Sequence, residues 1–337
     1  MGTVPYDCLT RTAGCIIGKI SLTQGTNKKN LHLKGASVNR REFLKLAAAS
    51  GIGLSLPLGL DTLYDTTEAA MNTDLVVAHG TSPARITRAA LDAVGGMKRF
   101  VSRGDIVVVK PNMAWDRLPE QAANTNPEVV ATVVALCYEA GAKKVKLFDR
   151  PVNDPRRSYV QSGIPEAVKA FGAEVEYTDD RKFREMKIGG EAIKSWPLYA
   201  DIFEADKIIN IPIAKHHSLA NLTMSMKNWM GVMGGLRRSI HQRLDESLAD
   251  LTLVIKPTLT VLDAVRILTA NGPQGGDLTD VKRLDTVVVG VDQVAIDSYG
   301  ATLFGMKGSD LGYVRIADKR GLGTMDLGKL KIRKINL

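Results

Sequence analysis

Charged and amide side chains recur in this chain just beyond its apolar runs. Lys110-Pro111-Asn112 follows the run 105–109, Asp149-Arg150 follows 144–148, and Lys215-His216-His217 follows 207–213. Asp263 closes the run 259–262, and Asp292 follows 286–290. If those runs are parallel strands, their C-terminal ends share one edge of a sheet. Residues far apart in sequence then converge there. One such residue alone is an ordinary loop or cap position; five at strand ends suggest a site.

The stretch 211–235 adds further candidates. Lys227 and Asn228, with Lys110, Asn112 and Lys215, supply point charges and amide donors suited to a phosphate or carboxylate. Catalysis on such an anion would use His216 or His217 as acid/base, oriented by Asp149 or Asp263. Asp149, His216 and Asp263 would equally serve a divalent metal, although no ligand pair has a diagnostic spacing. Met224, Met226, Met230 and Met233 have helical spacing and suit a core or the apolar wall of a pocket. The loop Gly272-Pro273-Gln274-Gly275-Gly276 could turn backbone N–H groups of Gly275 and Gly276 toward an anion. It lacks both the Lys-Ser/Thr ending of a P-loop and the spacing of a dinucleotide loop. No G-x-S-x-G elbow is present.

The elements that must position these groups follow from apolar patterning. Runs at 75–78, 105–110, 144–149, 174–177, 207–212, 259–263 and 286–290 read as strands. Helices are expected over 84–100, from Asn126-Pro127 through Tyr138 with a stop at Gly141, over 164–171, and over 292–303. Ser82 before Pro83 is a suitable N-cap. The polar stretch 179–200 reads as a hairpin insertion. Continuous Val/Ile runs alternating with helices predict an α/β fold: a mostly parallel sheet with helices on both faces.

The N-terminal part is different in kind. Asn39-Arg40-Arg41-Glu42-Phe43-Leu44-Lys45 matches a twin-arginine export consensus, with Arg40, Arg41, Phe43 and Leu44 as its key positions. An uncharged, Ala- and Gly-rich run over 46–60 follows, shorter than the roughly 20 residues that span a bilayer. The expected organisation is a polar, unstructured extension over 1–36, a signal and linker over 37–70, and an α/β domain over 73–337. This predicts a periplasmic or otherwise extracytoplasmic protein, exported folded by the twin-arginine translocation machinery. Thr67-Glu68-Ala69 fits a cleavage site loosely, so an uncleaved membrane anchor stays open.

The chain's 337 residues carry a net charge of +9. The excess is spread along the sequence apart from Lys329-Leu330-Lys331-Ile332-Arg333-Lys334. It favours anionic ligands slightly, and no aromatic-interleaved basic motif suggests nucleic acid. Cys8 and Cys15 precede the signal, leaving Cys137 in the expected mature region. A cysteine-ligated iron–sulfur cluster is therefore not expected. Cys137 itself reads as a small buried hydrophobe.

Several segments together resemble the domain-of-unknown-function 362 family. They are the run 107–112, the run 209–217 ending Ala214-Lys215-His216-His217, and Ser225-Met226-Lys227-Asn228-Trp229-Met230-Gly231. Asp263-Ala264, the loop 272–276, and Gly290-Val291-Asp292 with Asp297 complete the set. The resemblance covers roughly residues 74–305. It names a relative more than a reaction. Some relatives carry a ferredoxin-like cysteine cluster, and this sequence departs from them there. The order of early strand, Thr125-Asn126-Pro127 helix start and following strand is also distantly similar to the N-terminal domain of nickel-pincer lactate racemases. Two expectations follow: an enzyme acting on a small anionic molecule with an unidentified cofactor, or a non-catalytic accessory protein of an exported redox system.

Overall fold

The computed structural model describes residues 73–337. The twin-arginine run, the linker before it meets the first strand, and residues 1–36 lie outside the described residues. The main sheet has the order β12-β1-β11-β10-β7-β2-β3-β4. Its strands are β1 (Leu75–His79), β2 (Ile106–Pro111), β3 (Lys144–Leu147), β4 (Glu174–Val175), β7 (Lys207–Ile211), β10 (Leu259–Leu268), β11 (Val281–Gly290) and β12 (Ile332–Asn336). Only β11 runs against the others along this order. The mostly parallel α/β sheet is therefore observed.

Both faces are covered, and the alternation along each strand shows it. Val107 and Val109 of β2 pack with α1 (Pro83–Ala93) and α2 (Pro127–Ala140), whereas Val108 faces the other layer. That second layer contains α7 (Leu244–Val254), α8 (Gln293–Thr302) and α9 (Gly312–Lys319). Strands buried on both sides need no polar face, which explains their continuous Val/Ile composition. The stretch 179–200 does form a hairpin, β5 (Phe183–Lys187) against β6 (Ser195–Tyr199).

Helix starts follow local chemistry. The Asn126 side chain accepts from the Glu128 N–H at 2.9 Å, Pro127 occupies the first turn, and Gly141 ends α2 in the left-handed region. Helix α1 is shorter than expected. Gly95 and Gly96, at φ 102° and 77°, end it soon after Ala93, and 97–99 forms only a 3₁₀ turn. Two helices between β3 and β5, α3 (Pro155–Ser162) and α4 (Ile164–Lys169), stand where one was expected; the polar α3 offers little apolar periodicity. Among the described residues no helix is long and apolar enough to cross a membrane.

Three expectations about the sheet edge need correction. Lys215-His216-His217 does not lie in a loop after a strand. Beyond Pro212 the chain continues as β8 (Ile213–His217), which pairs with β10 and with the short β9 (Asn221–Thr223). Asp263 is not at a strand end, because β10 runs five residues further to Leu268. Asp292 lies at the opposite edge, because β11 is antiparallel to β10. There its side chain caps α8, accepting from Val294 and Ala295.

Candidate functional site

Adjacent parallel strands β2 and β3 bring Lys110 and Asp149 together at the C-terminal edge. Lys110 Nζ lies 2.9 Å from Asp149 Oδ1, and both side chains are buried. The ammonium also donates to the Pro111 carbonyl at 2.8 Å and to Asn228 Oδ1 at 3.1 Å. Asp149 Oδ2 accepts from the Met113 N–H at 2.7 Å. Gly231 closes over this pair: a Cβ there would meet Asp149 Oδ1 and Lys110 Nζ at 1.9 and 2.6 Å. Only a residue without a side chain allows this approach. Lys110 thus spends its donors inside the protein and sits beneath the cavity, although burial lowers its pKa.

A cavity of about 490 Å³ opens beside this pair, with Asn112, Asp149, Lys215, His217, Lys227 and Asn228 among its lining. Asn228 is at the end of the four-residue helix α6 (Ser225–Asn228), which two buried groups hold in place. Asn210 of β7 donates to the Ser225 carbonyl and hydroxyl. Asp297 of α8 accepts from the Ser225 and Met226 N–H groups at 2.6 and 2.9 Å. Asn228 then accepts from Asn112 Nδ2 and donates to the Lys110 carbonyl and to Asn210 Oδ1. Its amide is used up in this lattice. Asn112 Oδ1, by contrast, is buried without a hydrogen-bond partner among the described residues, and Asn112 belongs to the cavity wall.

The cavity's cations differ from Lys110. Lys215 Nζ donates to the Ala123 carbonyl at 2.5 Å and lies 5.7 Å from the centre of the Trp115 ring. Burial, then repulsion from Lys227, lowers its pKa well below the usual lysine range. Lys227 Nζ approaches Met230 Sδ at 3.4 Å. Burial, then Arg237, brings its pKa down to about 7. Arg237 spends its guanidinium on the carbonyls of Arg150, Pro151 and Met230. Among the described residues the cavity is therefore rich in basic groups, and the carboxylate in its wall, Asp149, is already paired.

His217 shares the Lys215 face of β8, two residues on. Its Nδ1 accepts from the N–H groups of Leu219 and Ala220 at 3.1 and 3.2 Å. That geometry puts the ring proton on Nε2. Burial, then Lys227 and Lys215, pushes its pKa down to about 2. His217 is thus a neutral donor, and among the described residues no carboxylate orients it as an acid/base pair would require.

Several expected members are elsewhere. His216 alternates to the other face, accepts from the Gly272 N–H at 3.0 Å, and borders a separate cavity with Asn221 and Phe304. Asp263 accepts from the N–H groups of Asn126 and Val265, bracing the start of α2; burial raises its pKa to about 6. The expected metal set of Asp149, His216 and Asp263 is therefore not assembled. Among the described residues no cluster of three His, Cys, Asp or Glu could hold a metal ion. Gly275 and Gly276 are not in the wall of this cavity. Their carbonyls accept from Arg117 and Gln121, the Gly275 N–H goes to Asn271, and Pro273 is the residue of that loop lining the cavity.

Sequence reasoning missed Trp115, Arg237, Arg238 and His241 in the cavity wall. The last three were legible as a basic cluster, Arg237-Arg238 with His241 and Arg243, one residue after Gly234-Gly235. Met230 is the one methionine of its group at the cavity; Met224, Met226 and Met233 are core.

Comparisons with known proteins give a family, a relative and two solved structures that the chain resembles. The sequence pattern of the family described as "Domain of unknown function (DUF362)" matches residues 107–302. A thylakoid-associated protein of Synechocystis sp. is 32% identical over 210 residues, 58% of this chain; the chain spans 62% of that relative's length. Among solved structures, a Thermotoga maritima protein matches with TM-score 0.40 and 11% identity, over 72% of this chain and 60% of that one. The lactate racemase apoprotein of Thermoanaerobacterium thermosaccharolyticum matches with TM-score 0.38 and 12% identity, over 66% and 55%.

Proposed function

Because the chain belongs to the DUF362 family, whose description assigns no reaction, we propose its function from its own cavity: it binds a small anionic molecule there. One observation carries this reading. Lys215 and Lys227 line a cavity, both are buried, and the bordering carboxylate of Asp149 is already paired with Lys110. Burying cationic groups without compensation is costly, so an anion that fills the cavity gains from relieving that cost. Asn112 and the Nε2–H of His217 supply polar partners around the same space.

Catalysis on the bound anion is a second reading. The observation in its favour is Lys227, whose pKa of about 7 lies where a general acid or base works best. The Asn39–Lys45 run supports a further part of the proposal, that the folded protein works outside the cytoplasm after twin-arginine export. The alternative role, as an accessory protein of an exported redox system, needs the same binding site without the chemistry.

The test is calorimetric titration of the purified full chain with sulfate, a probe that keeps its charge across neutral pH. Lys215→Met and Lys227→Met are each expected to weaken sulfate binding by roughly tenfold or more, as loss of a charge-assisted contact does. Unchanged affinity in both folded variants would sink the anion reading.

A further inference from the structure

The cavity is much larger than a bare anion. At about 490 Å³ it falls within the size range of sites for drug-sized ligands, whereas one water takes about 30 Å³ of liquid volume. Its wall also changes character with depth. Lys215 and Lys227 are only 1% and 7% exposed, whereas Val152 and Leu219 in the same wall are 59% and 67% exposed. Val152 comes from the loop after β3 and Leu219 from the turn between β8 and β9. Two separate loops thus bring large apolar side chains to the opening of one cationic cavity. Half-buried Met230 and the Trp115 ring, which stands over Lys215, extend the apolar surface inward.

Single exposed hydrophobics are common on protein surfaces. Apolar side chains that border a shared concave space beside buried cations are a different arrangement. It matches a ligand with two parts, each of which meets its own chemistry.

We infer that the ligand is an amphipathic anion: an acidic head held near Lys215 and Lys227, with an acyl or aryl body against Val152, Leu219, Trp115 and Met230. This rests on the anion reading above and narrows the ligand class. The body's apolar surface leaves water on binding, so affinity increases with chain length while head contacts stay constant.

The experiment compares acetate with hexanoate by calorimetry on the full chain at pH 6, with sulfate as a head-only probe. Hexanoate is expected to bind at least about tenfold tighter than acetate. In the double variant Val152→Ser/Leu219→Ser that ratio should fall by at least about threefold, with Trp115 and Met230 left to contact the chain. Both positions are exposed, and the ratio is internal to each protein, so a general change in stability does not mimic the result. Equal affinities for acetate and hexanoate in the wild-type chain would overturn the inference, as would an advantage for hexanoate that the double variant keeps. If sulfate binds while chain length has no effect, the ligand class is wrong and the anion site stands. If sulfate, acetate and hexanoate all fail to bind, the anion site itself falls.

Discussion

Lys227 has a buried amine beside Arg237, with a thioether as its hydrogen-bond partner, and this makes the cavity's charge depend on pH. Its pKa of about 7 means that the free cavity gains a positive charge as pH falls through neutrality. A bound anion favours the protonated amine, so affinity and protonation are linked. Sulfate affinity is expected to increase about tenfold from pH 8 to pH 6, and Lys227→Met should remove most of that dependence. Calorimetry at the two pH values measures both. The sign for stability is opposite. A lysine whose pKa falls from 10.5 to about 7 on folding stabilises fully above 10.5, and that contribution is lost as pH falls toward 7. A saturating anion should reduce this loss.

At the scale of elements, the site depends on α6, a helix too short to hold itself. Asn210 from β7 and Asp297 from α8 bond its first residues, and Asn228 at its other end joins Lys110 and Asn112. Asp297→Ala leaves two buried backbone N–H groups without acceptors. It is expected to cost about 2–5 kcal/mol in urea denaturation and to weaken sulfate binding, because Lys227 and Asn228 lose their support. Burial raises the Asp297 pKa to about 8 from 3.8. The proton is therefore held in the folded state, and the wild-type chain loses stability through this group as pH rises from about 4 through 8. The variant should lack that part of the slope. An identical slope in variant and wild type would show that Asp297 does not titrate there.

At the scale of the whole molecule, the cavity and its sheet occupy residues after the proposed export signal. Replacing Arg40 and Arg41 together by Lys is expected to stop export and leave folded precursor inside the cell, seen by fractionation and immunoblotting. Removing residues 1–36 should leave export intact, because that stretch carries no signal element. Normal export of the double-lysine chain would end the twin-arginine reading.

Local chemistry made much of this protein legible in its sequence. Asn126-Pro127 and Gly141 bounded α2, since capping and left-handed turns are decided within a few residues. Continuous Val/Ile runs announced strands covered on both faces, and the residues beyond β2 and β3 did meet, as Lys110 and Asp149. What the tertiary structure decided was direction, register and partnership. Nothing within 286–292 distinguishes a parallel from an antiparallel strand, so the place of Asp292 depended on how β11 pairs with β10. Nothing local chooses between His216 and His217 either, because a one-residue change of register exchanges their faces. Whether a lysine is a ligand group or a structural cation depended on which carboxylate reached it. Asp149 reached Lys110, which left Lys215 and Lys227 to the cavity, and only long-range pairing of strands could make that choice.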